Sequence, residues 1–196
     1  MQRERAVKCD FHTGFETVGG LLLGAGAGFV QGWARGDEGA AARRRVPDKV
    51  LCFDVDLAGV VLCHPPTYVN KVLLGARDGR LELWNVRSGK RVHAYASIAR
   101  GPGIAHVAAS GALDVVAVAR GTGRIQLLDA RRDAVLFELD HGAAAAACCF
   151  CRGGEPRGAG DARPPVLVAA GGDQLRVWDL ETRACLLYTS PSPRDS

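Results

Sequence analysis

The stretch VLLGARDGRLELWNVRSGK, Val72 to Lys90, decides the fold of this chain. It runs from an apolar segment through a glycine-centred turn into an alternating segment that ends at Trp84. Within that second segment the period is two: Leu81 and Leu83 fall on one face, and Arg80, Glu82 and Trp84 on the other, which is strand geometry. The Asp78-Gly79 turn offers a residue that adopts positive φ and a carboxylate for local hydrogen bonds, so a β-hairpin is predicted. Such a turn either cradles a ligand or joins two strands of a building block, and recurrence along the chain separates the two.

It recurs. LLLGAGAGFVQGWARGDEG (Leu21 to Gly39), VVAVARGTGRIQLLDARRDA (Val115 to Ala134) and VLVAAGGDQLRVWDLETRA (Val166 to Ala184) follow the same order: apolar run, Gly-rich turn, alternating run, large apolar anchor, polar residues. The anchors Trp33, Trp84, Leu128 and Trp178 are spaced 51, 44 and 50 residues apart, near the roughly 40–45 residues of a propeller blade with some loop insertion. The last spacing contains CRGGEPRGAGDARPP (Cys151 to Pro165), a Gly, Pro and Arg-rich insertion that no strand runs through. Further strands are predicted at Arg91 to Ala96, Ile104 to Ser110, Val135 to Asp140 and Ala145 to Cys151, giving four strands per repeat.

Composition narrows the function classes. The chain has 196 residues, is 47% hydrophobic and carries a formal charge of +4. No stretch reaches the ~18–20 consecutive apolar residues of a membrane helix, and the start lacks a secretory core, so an intracellular protein without membrane contact is expected. The basic run ARRRVPDK (Ala42 to Lys49) reads as a solvated loop. The seven cysteines are irregularly spaced and read as free thiols. The cluster Cys148 to Cys151 lacks the paired spacing of a zinc site and is predicted to be a buried strand, and His12, His64, His93, His106 and His141 show no metal-ligand spacing. No metal is expected. GAGAG (Gly24 to Gly28) leads into a strand-like FVQGW instead of opening a helix, so it is read as a hairpin turn, not a dinucleotide loop. There is no phosphate-loop sequence and no nucleophile elbow. No catalytic residue, cofactor or small-molecule substrate is expected.

RLELWN, RIQLLD and LRVWDLE resemble the third strand of WD-repeat blades, and this resemblance implies an all-β, WD40-type β-propeller, here partial, of about four blades with four antiparallel strands each. In that family a hydrogen-bonded set links the strand Trp to an Asp of the preceding turn, a Ser or Thr, and a His near the start of the blade. Trp84 with Asp78, and Trp178 with Asp173, match it; Ala76 or Gly75 stands where Ser or Thr is usual, and no Gly-His dipeptide occurs. The resemblance therefore implies an incomplete polar network, with packing holding the blades. Trp33, Trp84, Leu128 and Trp178 are read as blade-packing residues, Asp78 and Asp173 as turn positions, and no binding site is assigned.

Residues 50–184 carry a narrower resemblance. HPPTYVNKVLLG (His64 to Gly75) and DVVAVARGTGRI (Asp114 to Ile125) are similar to the N-terminal propeller of the U3 small nucleolar RNA-associated protein 21 family, also called WD repeat-containing protein 36. That implies a structural component of the small-subunit processome, acting in small-subunit rRNA processing in the nucleolus of the nucleus. The implied partners are proteins of a large ribonucleoprotein assembly, with RNA contacted indirectly or through basic loops. A WD-repeat adaptor of another complex, such as a ubiquitin-ligase substrate receptor, shares the fold and is the alternative.

The expected organisation is a partial propeller over 1–184, with blade units near 14–50, 51–96, 103–140 and 144–184, followed by a non-native tail over 185–196. CLLYTSPSPRDS (Cys185 to Ser196) stands where the last blade's fourth strand belongs, and one reading frame of a transposase sequencing adapter encodes Cys185 to Asp195. Four blades with uncovered end faces are expected to be marginal or aggregation-prone in isolation.

Overall fold

Strands that alternate with period two yet are apolar on both faces must be covered on both sides. The computed structural model, which describes residues 14–18, 21–26, 28–34, 49–111, 113–152 and 165–189, meets this by packing four sheets face to face. The first comprises β1 (Gly14–Val18), β2 (Leu21–Gly26), β3 (Phe29–Ala34) and β4 (Lys49–Asp54). The second comprises β5 (Val61–Cys63), β6 (Lys71–Gly75), β7 (Leu81–Asn85) and β8 (Lys90–Ala94). The third comprises β9 (Ile104–Ser110), β10 (Val115–Arg120), β11 (Arg124–Asp129) and β12 (Ala134–Asp140). The fourth comprises β13 (Ala147–Arg152), β14 (Pro165–Gly171), β15 (Gln174–Asp179) and β16 (Cys185–Thr189).

In each sheet the strands lie in chain order, each antiparallel to the next. These are propeller blades, and no helix occurs among the described residues. The first strands touch in sequence, β1 with β5, β5 with β9 and β9 with β13, so they run nearest the axis and the fourth strands form the outer rim. Gly26 pairs directly with Phe29, which makes GAGAG a hairpin. The Arg-rich loop at 42–48 and most of the insertion, residues 153–164, lie outside the described residues, as does the tail beyond Thr189.

The core is a set of seams between blades. Leu23, Ala25 and Val30 of the first blade meet Val72, Leu74 and Ala76 of the second. On the second blade's other face Leu73, Leu81 and Leu83 meet Val116, Val118 and Leu128 of the third. Ala117, Ile125 and Leu127 of the third then meet Leu167, Ala169 and Trp178 of the fourth. Each large side chain buried this way contributes on the order of 1.5–3 kcal/mol.

The four anchors occupy one register position. Trp33, Trp84, Leu128 and Trp178 pair across from Leu22, Val72, Val116 and Leu167, near the start of each second strand. At each anchor the pairing with the fourth strand slips by one residue. Such a bulge leaves one residue over. Those residues are Val50, Val92, Leu136 and Leu186, all 47–57% exposed on the rim. The residue after the anchor caps the turn that follows: Asn85, Asp129 and Asp179 accept hydrogen bonds from the amides two and three residues on. The next residue in each turn, Gly89, Asp133 and Arg183, takes positive φ, which explains why the turns close alike despite different sequences.

The structure differs from the sequence reading in three places. The first blade's last strand runs to Asp54, beyond the boundary at 50. Cys185–Thr189 does form a fourth strand, paired with β15, although all five residues are exposed. The pairing is a backbone matter: the open edge of β15 supplies the hydrogen bonds, and an apolar, aromatic pentapeptide suits a strand without needing burial. Within the cysteine cluster only Cys148 is buried; Cys149 and Cys151 are exposed on the opposite face of β13.

That opposite face is the end of the stack. Val168, Leu175 and Val177 occupy the register of Leu73, Leu81 and Leu83 but are only partly buried, whereas the latter are 0, 1 and 5% exposed. An uncovered apolar sheet face of this kind drives association. Replacing the cross-strand pair by an ion pair, Val168→Glu with Val177→Lys, keeps the strands compatible and is expected to shift the chain toward monomer in analytical ultracentrifugation. Unchanged association in the double variant would assign it to another surface.

Candidate functional site

The polar side chains of the blades converge on the seams. Asp78, in the β6–β7 turn, accepts from the Arg80 amide at 3.1 Å and from Arg80 Nε at 2.6 Å. The slight burial of its carboxyl favours protonation, but the Arg80 amide and guanidinium outweigh this and hold its pKa below the usual carboxylate range. Arg80 also reaches Asp56 of the preceding loop, donating to its carbonyl at 2.5 Å. Trp84 does not use Asp78. Its Nε1 donates to Glu82 at 2.8 Å, Arg91 donates to the other Glu82 oxygen at 3.1 Å, and the indole stacks on Phe53 of the first blade, 5.7 Å between centroids at 16°. Glu82 is a buried carboxylate that is paired and hydrogen-bonded, as such a group must be.

The position two residues before the anchor is polar in every blade: Gln31, Glu82, Gln126 and Arg176. The alternation displays this position, but its role is legible only with the seams in view. In the third blade Gln126 binds Glu138 at 2.7 Å and accepts from Arg120 Nε at 2.9 Å. Arg120 stands four residues beyond the anchor's partner Val116, the place held by Gly26, Ala76 and Gly171 in the other blades. It is 6% exposed, and its remaining nitrogens donate to three carbonyls of the second blade's loops, Ala99 at 2.9 Å, Pro102 at 3.1 Å and Gly79 at 3.3 Å. Burial draws its pKa down and Glu138 partly restores it; an arginine stays charged throughout. Where Ser or Thr is usual in this architecture, the third blade therefore uses a long guanidinium that fastens it to its neighbour. Packing is not the sole tie between blades.

Asp133 makes the second fastening. From the β11–β12 turn its carboxylate accepts from the Ser97 hydroxyl at 2.6 Å, the Ala96 and Ser97 amides at 2.9 and 3.1 Å, and His93 Nε2 at 2.9 Å, all on the second blade. Burial favours the neutral acid, but these four donors outweigh it and bring the pKa down to about 2. At the third seam His141 is fully buried, its Nδ1 bonded to the Ala143 carbonyl at 2.9 Å and its ring 6.0 Å from that of Trp178. It is the histidine near the start of the blade, missed in sequence because His precedes Gly in place of the usual order. Its Nε2 has no partner among the described residues: Asp173 sits exposed in the hairpin turn, and Gly171 lacks a hydroxyl where one is usual. Trp178 is 3% exposed at this seam, Leu128 is fully buried at the second, and Trp33 keeps the same register in the first blade.

His106 and Cys148 are biased toward their neutral forms. Burial lowers the pKa of His106, and burial, with a smaller contribution from Cys149, pushes the Cys148 thiol up to about 12; the two sit 3.3 Å apart. An open cleft of about 330 Å³ lies beside β8, lined by Arg80, Glu82, Arg91, Tyr95, Ile98 and Arg100 among others. Among the described residues no group of three or more metal-ligating side chains comes together.

Four antiparallel four-stranded blades fastened in this way define a WD-type β-propeller, here a partial one. Residues 40–191 match the WDR36/Utp21 first beta-propeller, and the chain belongs to that family. It is 38% identical over 124 residues to the U3 small nucleolar RNA-associated protein 21 homolog of Schizosaccharomyces pombe (strain 972 / ATCC 24843), an alignment covering 62% of this chain and 12% of that protein. It is 30% identical over 138 residues to WD repeat-containing protein 36 of Homo sapiens, covering 68% of this chain and 14% of that one. The chain thus spans about an eighth of the length of these relatives.

The fastenings have measurable weights. Arg120→Met strands the carbonyls of Gly79, Ala99 and Pro102 and is expected to cost about 2–4 kcal/mol in urea unfolding, with Arg120→Lys recovering only part because a point donor cannot span them. A loss under about 0.5 kcal/mol, the range of ordinary surface substitutions, would show that the guanidinium bonds contribute little. Asp133 predicts a pH effect. Its folded pKa of about 2 lies below the 3.8 of an unperturbed aspartate, so its contribution is complete above about pH 4 and is lost as pH falls through about 2. It amounts to roughly 2 kcal/mol. Asp133→Asn, which tolerates the positive φ, should remove that part of the acid sensitivity; an unchanged stability slope between pH 4 and 2 would refute the assignment.

Proposed function

We propose that this chain forms part of a non-catalytic scaffold in the small-subunit processome, where its blades hold proteins, and through them RNA, during small-subunit rRNA maturation in the nucleolus. The observation that carries the reading is family membership across residues 40–191, together with a fission-yeast relative whose name ties it to U3 small nucleolar RNA. The geometry agrees with a scaffold. Glu82, Arg120 and Asp133, the groups whose charge could serve chemistry, are each committed to holding parts of the fold together. His106, partly buried, lies against buried Cys148, and both are biased toward their neutral forms. What is left for partners is the rim, the loop ends and the cleft beside β8.

The test is affinity purification of the tagged full-length protein with sequencing of the bound RNA. Recovery of U3 small nucleolar RNA and unprocessed small-subunit rRNA precursors, with precursor accumulation on depletion, is the expected result. Recovery of ubiquitin-ligase subunits without precursor rRNA would overturn the reading.

A further inference from the structure

We propose that the outer edge of β8 takes up an extended acidic peptide of a partner protein as an added strand, with acidic side chains seated on Lys90, Arg91 and Arg100. β8 is the last strand of its sheet and, among the described residues, pairs with β7 alone. An unpaired strand edge offers a row of backbone donors and acceptors to an incoming segment. All five residues of β8, Lys90-Arg91-Val92-His93-Ala94, are exposed, and none is acidic. The other rim strands differ: β12 carries Glu138 and Asp140, β4 carries Asp54, and β16 carries no charge. The cleft lined by Arg91 and Arg100 adjoins the end of β8 at Ala94 and Tyr95.

The charges leave a positive surplus. Arg80 is occupied by Asp78 and Asp56 and adds little. Arg91, about half exposed, gives one nitrogen to Glu82 and keeps the rest of its fork for a ligand. Arg100 and Lys90 are exposed; Asp78, an acid within electrostatic reach of Arg100, is held by Arg80. Asp133, the acid facing β8 from the third blade, is already engaged by His93, Ala96 and Ser97. Of Lys90, Arg91 and Arg100, Arg91 alone is drawn on by an acid, Glu82, among the ion pairs of the described residues. The chemistry selects peptide over single-stranded RNA, because stacking platforms need free exposed rings: the cleft's Tyr95 is 4% exposed, and His93 on β8 is engaged by Asp133 and set edge-on to Tyr95. On an added strand alternate residues share a face, so acids on one face meet Arg91 and the cleft it shares with Arg100, and an acid on the other face meets Lys90. An aliphatic residue of the same strand can cover Val92, the residue left over by the bulge and 50% exposed. The cations also exclude strands of like charge, which gives the edge a selectivity.

This inference stands on the β8 edge and is independent of the assembly in which the protein works. The 196-residue chain is tethered at low density through its N-terminus, which keeps copies apart, and three probes are passed over it: a ten-residue peptide of alternating Glu and Val, its Lys–Val counterpart, and decauridylate. Saturable binding of the Glu–Val peptide is expected, weakened about tenfold or more in Lys90→Glu/Arg100→Glu, two exposed positions whose change should leave the thermal midpoint of the chain unaltered. The same variant should gain binding of the Lys–Val peptide, a reversal that unfolding cannot produce. Equal or tighter binding of decauridylate, or Glu–Val binding indifferent to the double substitution, would overturn the proposal.

Discussion

Everything in this structure depends on the seam. A blade here is a four-stranded sheet whose two faces are both apolar, so neither face can be left to water without cost, and stability comes from covering each with the next sheet. Leu73, Leu81 and Leu83 are dry only because Val116, Val118 and Leu128 lie against them. Aliphatic residues in the same register on the fourth blade, Val168, Leu175 and Val177, are only partly buried. The contrast is between identical positions in one chain, which makes it a direct measure of what a neighbouring blade does.

A dry seam has no directional preference, and two apolar sheets can slide. The polar fasteners remove that freedom. Arg120 ties the third blade to carbonyls on both sides of the second blade's loops, and Asp133 collects four donors from a short stretch of the same blade. Trp84 combines both functions, with its ring on Phe53 and its N–H on Glu82. Groups of this kind hold register as well as adding stability, because a shift of one residue would leave buried donors and acceptors unpaired, at a cost of about 1–3 kcal/mol each.

The fold was legible because it is written several times. A period of two, a glycine turn and a large anchor repeated four times leave little choice of architecture, and the anchors fall on one register position in all four blades. The fasteners were hidden because each is written once and in a different chemistry. Arg120 lies in an ordinary-looking VARG, Glu82 passes for a solvated residue of an alternating strand, and Asp133 resembles any acidic turn residue. Most of their partners are 9 to 41 positions away in sequence, a distance over which spacing carries no signal. His141 was missed for a simpler reason, its order with Gly142, although the structure sets it beside Trp178 as the architecture requires.

The rim follows from the same geometry. The slip at each anchor lets the outer strand turn away from the blade, and it leaves one aliphatic residue over every time. A bulged, partly charged edge resists indiscriminate strand addition, and the seams bury most of what would otherwise attract it. Differences between rims are then left to the charged residues around the bulge. On β12 these are Glu138 and Asp140; on β8 they are Lys90 and Arg91. Four blades built to one plan can therefore offer dissimilar edges, because the residues that face solvent on the outermost strand are the ones the seams do not constrain.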